Sequence, residues 1–137
     1  MIFLDTNVVS ELMRPEPEPA VLTWIKRHEE DLALSTIAIA EISFGIERIR
    51  PAERSHRLER TFKSLRGRLK DNIFDFDEVA ALAYGNFSGL RKRSGEPVAI
   101  ADGMIAAVAL RHKAQLATRN TKHFLRSGLK LINPWTD

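Results

Sequence analysis

Short unbroken apolar runs alternate along this chain with longer stretches whose apolar residues recur at steps of three and four. Met1–Leu4 is apolar at every position, the mark of a strand buried on both faces of a parallel sheet. Leu32-Ala33-Leu34, Ile73-Phe74, Leu116-Ala117-Thr118 and Leu129–Ile132 read as further strands. Helices are predicted over Val8–Met13, Ala20–Glu30, Thr36–Ile49, Ala52–Leu69, from an Asp77 cap to Arg93, and over Val98–His112, with a short turn beginning at Thr121. The prolines at 15, 17 and 19 form a rigid break. Pro97 is placed near the first turn of its helix, which puts Asp102 in the second turn. Trp24, Phe44, Phe62 and Phe87 are assigned to the core by default, and Val79, Leu82, Ala83, Phe87 and Leu90 to the inner side of the helix that Asp77 caps. Strands alternating with helices imply an α/β fold, a mainly parallel sheet between helical layers.

Length and composition narrow the classes. At 137 residues and 44% hydrophobic, one domain spanning 1–137 is expected. No apolar run is long enough to span a bilayer, and the start lacks a basic leader, so no membrane association and a cytoplasmic location are expected. The absence of cysteine excludes disulfides, thiol catalysis and thiolate zinc sites. The four histidines form no recognisable zinc spacing. A net charge of +3 leans mildly toward a polyanionic partner.

The informative residues are acids in apolar surroundings. Asp5 ends the first strand, where open α/β sheets bind ligands; the alternative is that it caps the following helix through the Asn7 or Val8 amide. Glu41 stands inside Ile37–Ile46, where a carboxylate needs a cation or a buried arginine. Asp102 interrupts Val98–Leu110, a segment apolar nearly all round, and is read as functional, with a capping or dipole role as the alternative. Gly45 lies one turn beyond Glu41 and Gly103 follows Asp102. A mid-helix glycine costs about 1 kcal/mol relative to alanine, so each position suggests close approach, by a packed element or by a substrate backbone. Three clustered acids repel unless a hard cation joins them, and carboxylate oxygens suit Mg²⁺ or Mn²⁺, which also bind phosphate. Thr6 and Asn7 could add neutral oxygens.

In order along the chain, Asp5-Thr6-Asn7-Val8-Val9-Ser10-Glu11, Ala40-Glu41, Ala101-Asp102-Gly103-Met104-Ile105-Ala106-Ala107, Ala117-Thr118-Arg119-Asn120 and Asn133-Pro134-Trp135 resemble the PIN-domain toxins, in the FitB-like branch of the VapC family. The resemblance implies a three-layer α/β/α sandwich. It implies a Mg²⁺- or Mn²⁺-dependent endoribonuclease, a toxin held in check by a cognate VapB-type antitoxin, and a homodimer. It places metal ligands at Asp5, Glu41 and Asp102, and has Thr6 line the site. The family's fourth acid falls at Asn120, a neutral residue here, which leaves the number of metals open. An aspartate often found before a phenylalanine is replaced by His123.

The chemistry expected is attack of an activated water on a phosphodiester, which does not by itself distinguish RNA from DNA. Arg119 is the favoured phosphate contact beside Thr118 and Asn120. Two basic clusters stand out: Arg48, Arg50, Arg54, Arg57, Arg60, Lys63, Arg66, Arg68 and Lys70, and Arg91-Lys92-Arg93. They are either phosphate contacts or a solvated face balanced by Glu47, Glu53 and Glu59. The rival functional reading is a catalytically weak module that binds RNA or a partner; a phosphotransfer enzyme with Asp5 as nucleophile ranks below both, because Asn7 stands where a second acid is needed.

Overall fold

The computed structural model describes residues 1–137. Five parallel strands lie in the order β3-β2-β1-β4-β5, where β1 is Ile2–Leu4, β2 Leu32–Ser35, β3 Ile73–Phe74, β4 Gln115–Ala117 and β5 Leu131–Ile132. The six helices are α1 Thr6–Leu12, α2 Pro19–Arg27, α3 Thr36–Arg48, α4 Glu53–Arg68, α5 Glu78–Arg93 and α6 Ile100–Arg111. The three-layer parallel architecture is as expected. β1 is central and fully buried, with Ile2 opposite both Leu32 and Gln115. The Asp5 amide continues the ladder past the end of β1, donating to the Ala117 carbonyl at 2.9 Å. Three β-to-α junctions therefore begin at the carboxyl edge of neighbouring strands. Ser35 caps α3 through the Ala38 amide at 3.2 Å, and Asp77 caps α5 through Ala80 at 2.8 Å.

Five expectations fail for identifiable reasons. α6 starts at Ile100 with Ala99 as its cap, leaving Pro97 in the preceding loop; Asp102 is therefore in the first turn, not the second. The inner face of α5 is Ala80, Phe87 and Arg91, with Ala83 and Tyr84 half-buried, while Val79, Leu82 and Leu90 are exposed. Periodicity located a face there but chose its phase by hydrophobicity alone. Phe44 is 69% exposed and is not core. Arg91 is buried, donating to the carbonyls of Glu96 at 2.8 Å and Leu125 at 2.6 Å, so it anchors a loop rather than serving a basic surface. Gly45 has open space where a Cβ would stand, so no close approach explains it.

Gly103 does mark a close approach, and the partner is α5. A Cβ built there would lie 2.7 Å from Ser88 Oγ and 2.9 Å from Tyr84 Cε2. Gly103→Ala is accordingly expected to destabilise the protein by about 1–3 kcal/mol through overpacking. It should also move the first turn of α6, which carries Asp102. A urea midpoint equal to that of the parent protein would show that α5 yields at no cost.

Candidate active site

The carboxyl edge of the central strands opens into a cleft of about 460 Å³. Its walls include Asp5, Thr6, Asn7, Glu41, Asp102, Arg119 and Asn120. Thr118 lies just beneath, fully buried. The structure thus brings the three acids and their expected neighbours to one place. Size does not single this cleft out. A hollow of about 550 Å³ at the amino ends of the strands mixes Arg27 and Lys130 with Asp31 and Asp137; the strand-end cleft sets the acids Asp5, Glu11, Glu41 and Asp102 against Arg14 and Arg119 alone.

Asp5 is the deepest of the three acids, 3% exposed. It both caps α1 and faces the cleft, so the two readings of this residue are not exclusive. Oδ1 accepts from the Thr6 amide at 2.8 Å, and Oδ2 from the Thr118 hydroxyl at 2.7 Å. Thr118 Oγ1 in turn accepts from the Asn120 amide at 3.0 Å and from Asn7 Nδ2 at 3.4 Å. With its acceptor capacity filled, the Thr118 hydroxyl has its hydrogen left for Asp5. Asn7 is held from the other side, its Oδ1 accepting from the Arg119 amide at 3.3 Å. No arginine or lysine pairs with Asp5. Burial, reinforced by the charges of Asp102 and Glu41, therefore pushes its pKa from 3.8 up to about 6 against the pull of its two hydrogen bonds.

Glu41 projects from α3 and is half-buried. The Thr6 hydroxyl donates to its Oε1 at 2.5 Å. The alternative of a buried arginine partner does not hold: none of the ion pairs includes Glu41. Asp102 lies in the first turn of α6, where the helix dipole favours its charge, and makes no capping bond. Its Oδ2 is 3.5 Å from Nδ1 of His123. As placed, no three histidine, aspartate or glutamate side chains converge on a point closely enough to hold an ion directly.

Five further residues stand at the site, four of them in or beside the motifs already quoted but without a role assigned from sequence. Ser10 lines the cleft one helical turn from Thr6, and Arg14 lines it from just beyond the end of α1. Buried Glu11 holds Arg14 with both carboxylate oxygens at 3.2 Å and accepts from the Glu18 amide at 2.9 Å, fixing the proline-rich turn against α1. Trp135 arrives from beyond β5 and carries the Arg119 guanidinium 4.9 Å above its ring. His123 reaches Asp102 through a 3₁₀ turn, Thr121–Phe124. Nothing local in the sequence signals the last two contacts.

The chain is thus a parallel α/β/α sandwich with one buried and two half-buried acids in a cleft at the carboxyl edge of its central strands. The family model "PIN domain" matches residues 2–128, and the chain belongs to that family. It is 42% identical to VapC ribonuclease Y4jK of Sinorhizobium fredii, over 98% of each chain. It is 37% identical to Toxin FitB of Neisseria gonorrhoeae over the full length of both. The crystal structure of FitAcB from Neisseria gonorrhoeae superposes with a TM-score of 0.90, covering 100% of both chains at 37% identity.

Proposed function

We propose that residues 1–137 form a single PIN nuclease domain, a metal-dependent endoribonuclease that is the toxin of a type II toxin–antitoxin pair. The observation that carries this reading is the set of three carboxylates lining one cleft, the deepest of them without a cationic partner. The likeness to a VapC ribonuclease and to a protein named as a toxin supports the activity; a VapB-type antitoxin partner and a homodimer belong to the same reading.

An all-oxygen donor set around an uncompensated buried acid fits Mg²⁺ or Mn²⁺. Asp5, Glu41 and Asp102 would hold the ion, directly or through its waters. Bound there, it would supply Lewis acidity toward water and phosphate. The chain's own part is positional. Thr118 and the Thr6 amide hold Asp5, and the Thr6 hydroxyl holds Glu41. Arg119, braced on Trp135, is placed to meet a phosphate oxygen at the rim. Asn120 is exposed, its backbone committed to Thr118 and its amide side chain neutral.

The test is cleavage of total cellular RNA by the purified protein. Chelation should abolish cleavage, and Mn²⁺ or Mg²⁺ should restore it. Asn120→Ala should lose much less than any change of the three acids, and Asn120→Asp should tighten metal binding by adding a charge. RNA left intact at every metal concentration, with RNA affinity retained, would identify a binding module instead.

A further inference from the structure

Helix α4 carries more charge than any other element and takes no part in the cleft. Its buried residues, Ser55, Phe62 and Leu65, lie on one side. At 100° per residue, Arg60 points directly away from that side, with His56, Arg57 and Lys63 flanking it. The acids that could neutralise this face are committed elsewhere. Glu47 and Glu59 both bind Arg50, which leaves Glu53 as the acid of the outer face. Arg54, Arg57, Arg60 and Lys63 take part in no ion pair. Arg54, Arg57 and Arg60 line a shallow hollow of about 670 Å³ with Glu53 and His56. A solvated face balanced by its own glutamates is therefore not what the fold builds.

We infer that the outer face of α4 binds the phosphate backbone of the RNA substrate at a distance from the scissile bond. The inference rests on the endoribonuclease reading. It follows from charge complementarity: unpaired guanidinium and ammonium groups on a rigid helix attract a polyanion without reading bases. A groove of about 320 Å³ runs from the cleft, with which it shares Thr6, Ser10 and Glu41, as far as Leu58 on the inner side of α4. The basic face lies beyond Leu58 on the far side of the helix, so it meets a long or folded RNA and not a short strand lodged in the cleft.

The test is the triple variant Arg57→Gln, Arg60→Gln, Lys63→Gln in the full chain, with Asp5→Ala as a control for the cleft. Binding of a long RNA should weaken on the order of tenfold near 0.1 M salt, and the slope of log K against log salt should fall by about two, as expected for three lost phosphate contacts. KM for long RNA should rise while kcat, and cleavage of a short oligonucleotide, stay unchanged. Asp5→Ala should show the reverse pattern, with cleavage lost and the salt slope kept. An unchanged salt slope in the triple variant would overturn the inference, as would loss of antitoxin binding with RNA affinity intact. Because the slope is read from binding, it stays decisive even if the protein cleaves no RNA.

Discussion

Replacing Asp5 by asparagine is expected to slow RNA cleavage on the order of a hundredfold or more, because a charge is lost where negative charge must be gathered and steadied in the transition state. The substitution is nearly isosteric, and the retained oxygen can still accept from the Thr6 amide, so one of the two anchors is kept while the Thr118 hydroxyl loses its acceptor. Single-turnover rates at saturating Mn²⁺ separate lost chemistry from weakened ion binding. An Asp5→Asn protein as fast as its parent would remove Asp5 from the mechanism whatever the fold. A module that only binds RNA gives the opposite signature, with affinity unchanged or improved as repulsion of phosphate is relieved.

The same substitution should make the protein more stable. Asp5 titrates at about 6 in the folded chain against 3.8 ordinarily. Between those pH values the folded state holds more protons than the unfolded one, so the free energy of unfolding falls as pH rises. Below 3.8 both states are protonated and the penalty vanishes; above about 6 both are ionised and it is constant. In full it amounts to about 3 kcal/mol. Asparagine avoids it but cannot reproduce every bond of a protonated acid, because its amide would face a Thr118 oxygen already serving two donors. A gain of about 1–2 kcal/mol is expected at pH 7 in the presence of chelator, turning into a loss of about 1 kcal/mol near pH 4, where the penalty has mostly gone and the unmade bond remains. Divalent cation should then stabilise the parent more than the variant. Urea unfolding at the two pH values, with and without Mn²⁺, reads all of this. A parent protein that gains stability from pH 4 to 7 faster than the variant would reverse the sign and overturn the account.

The two predictions explain why the principal acids were visible in the sequence. A carboxylate inside an apolar strand end or helix is costly wherever the chain puts it, and that cost can be read without coordinates. Asp5, Glu41 and Asp102 stand out on this ground alone. Strand alternation with helices was legible for the same reason, since burial on two faces leaves unbroken apolar runs. What could not be read depends on the phase of a helix or on contacts across the chain. The exposed Phe44, Val79, Leu82 and Leu90 are chemically indistinguishable from core residues. Pro97 is compatible with a first turn or with the loop before it, and a start at Ile100 instead of Val98 moves Asp102 between turns. Arg91 reads as one of a basic triplet until its loop carbonyls are seen. His123 and Trp135 reach the cleft only once β4 and β5 have docked.

Asp5 and Thr118 are 113 residues apart, yet the hydroxyl of one holds the carboxylate of the other. During synthesis the chain emerges amino end first, so Asp5, Glu41 and even Asp102 leave the ribosome before β4 emerges to close the sheet beside β1. Until then β1 has an open edge, the Asp5 amide has no Ala117 carbonyl to reach, and the cleft lacks its floor. A nascent or prematurely ended chain therefore carries the acids without the means to align them. The site is complete only once β4 has emerged and docked beside β1.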